Sequence, residues 1–494
     1  MYIGLDVGTS GTKAALIDGR GKVLASHQVS YNFSDARQGH RELDAEEMWR
    51  AVKICLEAVG AGQEVKMITV STLGEAVTPI DRAGNPLSGC ITGTDIRGTE
   101  ELEILKDLIG PERLVDITGL NLSTIYSANK ILWMKKYTPE IYEKAWKILT
   151  VQDYVVYRLC GQPICDYSIA SRTCLFDVGT FQWSQEILEK TGICREKLSH
   201  PHPSGTVAGE IFSDLKKELG LVGTVRVAAG SHDHICNALG CGVYQEGSSS
   251  DTMGTTEGFT AVLRRKQLPS ENVEKYQISC EPFVLPQFYN TVAWNNTSGV
   301  LLRWFVQEFV KEESPDTIIK TYARLNEEME KEPTRLLILP HFSGAATPYM
   351  DSRSKGAILG LTMDTRRQDI YKALMESVNL ELALILECME AAGLQVNKIT
   401  ATGGALSPQL LQIKADVLGR EIGTVENKQT GTLGCAILGS VAAGDYHSLE
   451  EAIEAMVRPA CSYEPNQERN KIYKDRLDVY KKLYPALAEI SRVL

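Results

Sequence analysis

A short run of glycine and hydroxyl residues occurs twice in this chain, half its length apart. Gly8-Thr9 lies in Tyr2-Ile-Gly-Leu-Asp-Val-Gly-Thr-Ser-Gly-Thr-Lys-Ala-Ala-Leu-Ile17, and Gly254-Thr255 lies in Ser250-Asp-Thr-Met-Gly-Thr-Thr-Glu-Gly-Phe-Thr-Ala-Val-Leu263, 246 residues later (254 − 8). Each copy reads as a strand, a tip of Gly, Thr and Ser, and a second strand, which is a β-hairpin. A like hairpin opening each half is the signature of a duplicated two-domain protein. We therefore expect a boundary near Glu246-Gly247, dividing the chain into 1–246 and 247–494. Length agrees, since at roughly 150 residues per domain 494 residues allow two large domains.

Between the hairpins the pattern alternates. Apolar runs at Met67–Ser71, Val225–Ala229, Leu336–Leu339 and Lys398–Thr402 read as strands, and Ile370, Leu374, Val378, Leu382 and Ile385 recur at helical spacing. Both halves are α/β, and no Pro-rich or low-complexity linker separates them, so a close interface is expected. With 43% hydrophobic and 23% charged residues the chain is globular, which excludes disorder as its theme. A net charge of −11 supplies no global basic field for nucleic acid or an anionic membrane. No basic and apolar leader opens the chain, and the weakly polar stretch Thr432–Gly444 is too short to span a bilayer; we expect a cytoplasmic protein. Its 12 cysteines form no Cys-x-x-Cys and read as reduced, buried thiols rather than zinc ligands.

The hairpin tips carry the first chemistry. Small residues leave backbone N–H groups and hydroxyls bare at Gly8, Thr9 and Ser10 and at Gly254, Thr255 and Thr256, where they can cradle phosphate oxygens. Asp6 precedes the first tip. A carboxylate facing phosphates is tolerable only with a divalent cation between them, which implies Mg2+. No Gly-x-x-x-x-Gly-Lys-Ser/Thr and no Gly-x-Gly-x-x-Gly opening a helix is present, disfavouring a P-loop or an ordinary dinucleotide site.

In Ala228-Ala-Gly-Ser-His-Asp-His-Ile-Cys-Asn237 a strand ends at Gly230-Ser231 and a helix begins near Asp233. A carboxylate there points into the crevice where α/β sheets bind ligands. Asp233 can serve as a general base for an attacking hydroxyl or simply cap the helix. His232 and His234 flank it without further metal ligands. In Thr400-Ala-Thr-Gly-Gly-Ala-Leu-Ser-Pro408, residues Gly403, Gly404 and Ala405 form a tight turn whose backbone can approach a flat ligand, with Ser407 as N-cap and Pro408 at the first helical position.

Together these segments resemble the FGGY family of carbohydrate kinases along the whole chain. Gly4–Lys13 is similar to the family's first phosphate loop, Gly230-Ser-His-Asp233 to its catalytic Gly-x-x-Asp, Gly254-Thr255-Thr256 to its second phosphate loop, and Gly403-Gly404-Ala405 to its adenosine loop. Val151–Gly161 with Asp166–Ser171, and Gly356–Leu361 with Asp369, Ala373 and Glu376, resemble further family stretches. The resemblance implies two duplicated actin-like (ribonuclease H-like) ATPase domains around an interdomain cleft, with sugar and base in the N-terminal domain and nucleotide in the C-terminal one. It implies ATP and Mg2+ as cofactors, Asp233 as base, Asp6 at the metal, and Gly8, Thr9, Ser10, Thr12, Lys13, Gly254, Thr255 and Thr256 at the phosphates.

The acceptor implied is a small sugar, first a pentulose, with glycerol, gluconate or another polyol as alternatives and a non-enzymatic actin-like nucleotide switch as the competing class. Where the family's xylulokinases carry a Met-His pair and its glycerol kinases an Arg-Glu pair, this chain has Gly74-Glu75. Glu75 can accept from two sugar hydroxyls or be a buried structural carboxylate. Asp95 and Arg97 match a Trp-x-Asp-x-Arg run whose tryptophan position is here Gly93. Trp294 is a candidate to line the sugar site, with core packing as the alternative. A homodimer is compatible with these residues, which do not specify the oligomeric state.

Overall fold

A computed structural model describes residues 1–35, 39–264, 268–311 and 315–494, with nothing stated of the side chains at 315 and 316. The two hairpins form as expected, and each seeds a sheet. In the first half β1 (Tyr2–Val7), β2 (Gly11–Ile17), β3 (Val23–Ser30), β4 (Met67–Thr72), β5 (Val207–Glu210) and β6 (Arg226–His232) lie in the order β5-β6-β4-β1-β2-β3. In the second, β7 (Ser248–Met253), β8 (Glu257–Arg264), β9 (Glu281–Pro282), β10 (Phe288–Asn295), β11 (Lys398–Thr402), β12 (Ile422–Val425) and β13 (Pro459–Tyr463) lie in the order β9-β10-β8-β7-β11-β12-β13.

Five strands of each sheet correspond one to one. β3-β2-β1-β4-β6 and β10-β8-β7-β11-β12 share not only order but direction: antiparallel through the hairpin and its outer neighbour, then parallel. The parallel members are reached by crossovers that carry helices onto the sheet faces, so β4, β6 and β11 are buried on both faces almost throughout. The expected strand at Leu336–Leu339 forms as Leu337–Leu339 but pairs with Ala357–Leu359 outside both main sheets. Pro340, which has no N–H for a ladder, follows it directly.

Six helices position the site. α1 (Ala45–Gly60) is capped by Asp44, which accepts from the N–H groups of Glu46 and Glu47, and buries Met48, Val52, Cys55, Leu56 and Val59 against the first sheet. α2 (Asp233–Gly240) follows β6, and α3 (Gly299–Phe305) follows β10. α4 (Arg367–Ala391) realises the predicted helical spacing, and α5 (Pro408–Leu418) is capped by Ser407 Oγ with Pro408 in its first turn. α6 (Thr430–Ala442) is buried along nearly its whole length.

α6 comes from the second half but packs on β1 and β4 of the first and crosses α2. Three of its contacts are backbone on backbone. A Cβ at Gly4 would sit 2.1 Å from Thr432 O, one at Gly240 2.0 Å from Thr430 O, and one at Gly434 1.9 Å from Cys236 O. Cys236 and Cys435 lie with their sulfurs 3.8 Å apart in this seam, both as free thiols. On the other side of the molecule one buried cluster runs from Leu114 and Phe176 of the first half to Phe259, Tyr289 and Ile385 of the second. Among the described residues no helix is long and apolar enough to cross a membrane.

Candidate active site

The first tip, Gly8–Ser10, closes with Gly8 N–H donating to Gly11 O at 2.9 Å, and the hydroxyl of Tyr31 donates to Gly8 O at 2.7 Å. Thr9 and Ser10 are exposed at the tip. Asp6 pairs across the hairpin with Lys13, and Val7 with Thr12. Directly opposed residues share a sheet face, so Lys13 stands beside Asp6. Thr12 does not: it is fully buried on the opposite face, with Oγ1 3.4 Å from the Tyr31 hydroxyl. The expectation that Thr12 meets phosphate is corrected by the period-two alternation of the strand, and its place is beneath the loop, against the residue that holds it.

Asp6 is an incomplete site. Its Oδ1 is buried without a hydrogen-bond partner, and burial, with the nearby Asp233 adding to it, pushes its carboxyl up to about 7 against the opposing pull of Lys13. A Cβ at Gly431 of α6 would lie 3.4 Å from both Asp6 Oδ2 and Asn237 Oδ1, so these oxygens converge on the α6 N-terminus. Thr430 Oγ1 donates to Asn237 Oδ1 at 2.8 Å and lies 3.2 Å from Thr402 Oγ1 at the end of β11. An unpaired carboxylate beside a second one is the donor set a divalent cation satisfies, and the residues present fit Mg2+.

Asp233 opens α2 as its first residue; the N-cap is His232, whose side chain makes no capping bond. Its Oδ1 accepts from His234 N–H at 2.6 Å, and its side chain is 31% exposed. Burial raises its carboxyl to about 6, with the His234 N–H and Arg172 pulling the other way. It is therefore ionised at neutral pH yet basic enough to accept a proton. Burial also keeps both flanking histidines neutral, lowering His234 to about 4 and His232 well below its ordinary value. The stretch from Val151 to Ser171 supports this end of β6. Asp166 Oδ2 accepts from Ser168 and Ser204 hydroxyls at 2.7 Å each and from Ser231 at 3.3 Å, and Ser168 Oγ accepts from His232 N–H at 2.9 Å.

The second tip lies in a cleft of about 590 Å³ lined by Gly254, Thr255, Gly404 and Ala405, together with Gly299, Arg303, Tyr322, Asn326 and Tyr371. Gly403 makes the turn behind it, at φ 115°, where an added Cβ would sit 2.1 Å from Met253 O. Ser298 and Gly299 N–H groups donate to Thr255 O and Gly254 O at 3.0 Å each, tying the start of α3 to the tip. Thr256 is exposed beside Thr255. The sequence reading missed Arg303, Tyr322, Asn326 and Tyr371, whose helical spacing says only that they lie on helices.

Glu75, readable from the sequence as a sugar-hydroxyl acceptor or as a buried structural carboxylate, has one oxygen engaged. Its Oε1 is ion-paired with Arg172, which also binds Glu281 of β9 at 2.9 Å. Arg172 is 9% exposed and Glu75 14%. Burial raises the Glu75 carboxyl while Arg172 draws it down. The buried-carboxylate reading thus accounts for one oxygen, and Oε2 borders the space beside Gly93, 3.5 Å from where a Cβ there would lie. Trp294 is half-buried and opposes Gly258, over which the His234 ring lies, 2.2 Å from where a Cβ would be. Trp294 therefore lies on the sheet face that the His234 ring covers. Arg172 and Glu281 were missed because neither sits in a motif.

Two duplicated sheets, a nucleotide-sized cleft on one, and paired carboxylates at the junction define an actin-like two-domain phosphotransferase. The comparisons name the family. Residues 1–240 match the N-terminal domain of the FGGY family of carbohydrate kinases and residues 249–443 its C-terminal domain, and the chain belongs to that family. It is similar to a xylulose kinase of Staphylococcus xylosus, 26% identical over 98% of this chain and 99% of that one. A gluconokinase of Bacillus licheniformis is also 26% identical, covering 100% and 96%. The solved structure of a ligand-bound xylulose kinase from Lactobacillus acidophilus shares the fold at a TM-score of 0.90 and 23% identity, covering 99% and 98%. The chain is an ATP-dependent sugar kinase.

Proposed function

We propose that this kinase phosphorylates a pentulose, with residues 1–246 holding sugar and base and residues 247–494 holding ATP. The observation that carries the reading is Asp233, an ionised carboxylate at the first position of α2, next to the orphaned Asp6. Asp233 accepts the proton of the sugar hydroxyl as that oxygen attacks the γ-phosphorus, and the bond from the γ-phosphorus to the ADP oxygen breaks. Gly8, Thr9 and Ser10 from one half and Gly254, Thr255 and Thr256 from the other present N–H and hydroxyl groups to the phosphates, and Lys13 adds a cation. Gly403, Gly404 and Ala405 abut the adenosine. Asp6, with Asp233 and Asn237 nearby, would hold Mg2+, which supplies neutralisation of phosphate charge. Closure of the halves excludes water as a competing acceptor.

An uncharged acceptor is favoured over an aldonate by the charge around Arg172. Glu75 and Glu281 occupy this guanidinium, and Asp233 adds a further negative charge, so a substrate carboxylate would meet net repulsion there. The twelve cysteines, all free thiols and mostly buried, support a reducing cytoplasm. The sugar is the sole partner this reading requires, and neither nucleic acid nor membrane has a part in it; a homodimer is compatible with it.

The test is coupled ADP release with ATP and Mg2+ against pentuloses, glycerol, other polyols and gluconate, alongside Asp233→Ala. Turnover on a pentulose that falls by about 10²–10⁴ in the variant, with ATP still bound, is the expected result. Stimulation by gluconate alone would overturn the acceptor class, and ATP binding with no stimulation by any sugar would favour a nucleotide switch.

A further inference from the structure

Behind the nucleotide cleft lies a buried ion cluster that the phosphoryl-transfer scheme does not use. Lys414 of α5 is fully buried; its ammonium pairs with Asp251 of β7 and, at 2.7 Å, with Glu257 of β8, themselves 0% and 2% exposed. Stability alone is a poor reason for such a cluster, because packed apolar groups of the same volume hold a core as well or better. Apolar packing is already present: Met253, Leu410, Ile413 and Val417 join α5 to the sheet around it.

Its placement is specific. Glu257 directly follows the Gly254–Thr256 tip, Asp251 lies on the strand leading into that tip, and α5 begins just after the Gly403–Ala405 turn. The loops so connected meet without slack. A Cβ at Gly299 would sit 2.7 Å from Gly254 O and 3.0 Å from Ala405 Cβ, and Ala405 N–H donates to Met253 O at 3.2 Å. Apolar contacts leave sliding soft, whereas parting a buried ammonium from its carboxylates leaves uncompensated charge, so the cluster penalises any shift of α5 relative to β7 and β8.

We propose that Lys414 is a positioning residue for ATP, locking the second phosphate loop and the adenosine turn at one spacing through Asp251 and Glu257. Burial and the neighbouring Asp251 raise the Glu257 carboxyl, and Lys414 opposes them.

The inference rests on placing the nucleotide in the C-terminal half, and the test separates the two. Lys414→Met, whose unbranched chain fills the same volume, is expected to raise both KM for ATP and the dissociation constant for ADP by about tenfold. KM for the sugar should stay within about twofold, the usual bound for uncoupled sites. Glu257→Gln keeps the Lys414–Asp251 pair and is expected to weaken ADP binding by about threefold, as loss of one charged contact would; it decides the matter if Lys414→Met does not fold. Unchanged ADP binding in a folded variant, or equal rises in both KM values, overturns the positioning role. Wild-type protein that bound no ADP, or bound it unaffected by Gly403→Ala and Gly254→Ala, would overturn the placement beneath it.

Discussion

Replacing Asp6 by asparagine should make the ligand-free protein more stable while removing its activity. Its carboxyl stands at about 7 instead of the ordinary 3.8 because burial and Asp233 disfavour the charge. A raised carboxyl pKa means that the folded state binds the proton more tightly than the unfolded state, so the penalty is absent below about pH 4, grows as pH rises, and is complete above about pH 7. A displacement of that size corresponds to about 4 kcal/mol at most. Between pH 5 and pH 8 the advantage of Asp6→Asn over wild type should widen by about 2–3 kcal/mol, read as several degrees in melting midpoint. The assay is thermal unfolding without nucleotide or metal at both pH values, repeated with Mg2+ and ATP, which should narrow the gap by stabilising wild type alone. A variant no more stable than wild type at pH 8, or one whose advantage is the same at pH 5, would refute the argument.

With Asp233 raised to about 6, kcat at saturating substrates should fall about tenfold per pH unit below that value; a profile flat down to pH 5 excludes Asp233 as base. Arg172→Met strands Glu75 and Glu281 and should cost about 3–5 kcal/mol of stability, visible as a lowered melting midpoint, while Arg172→Lys loses less. Gly403→Ala forces a side chain onto φ 115° against Met253 O, so it should weaken ADP binding in calorimetry by about 1–3 kcal/mol. Thr12→Val removes only a long hydrogen bond on the buried face and should leave KM for ATP unchanged; a large rise would restore Thr12 to the phosphates.

What was legible in the sequence is what short-range chemistry dictates. The hairpin tips need small residues wherever they fold, so Gly8 and Gly254 declare themselves, and with them the duplication. Ser407-Pro408 announces a helix start for reasons contained in that dipeptide. The strand alternation that buries Thr12 was equally present, since Asp6 and Lys13 face each other only if Val7 and Thr12 do, and motif likeness overrode it. By contrast Arg172 meets carboxylates 97 and 109 residues away, and Asn237 meets Thr430 at a separation of 193. No local pattern encodes such encounters; they follow from which strands the crossovers bring side by side.

The seam between α2 and α6 has a consequence for how precisely the reaction is aimed. Where helices meet through side chains, rotamer changes let one slide against the other by fractions of an ångström. Here Gly240 and Gly434 bring main chain onto main chain between the two helices, and Gly4 does the same between β1 and α6, leaving no room for rotamer changes at those points. Asp233 is the first residue of one of these helices, and Gly431, beside Asp6, lies in the first turn of the other. The spacing between Asp233 and the end of α6 beside Asp6 is therefore gauged by the van der Waals radii of peptide atoms.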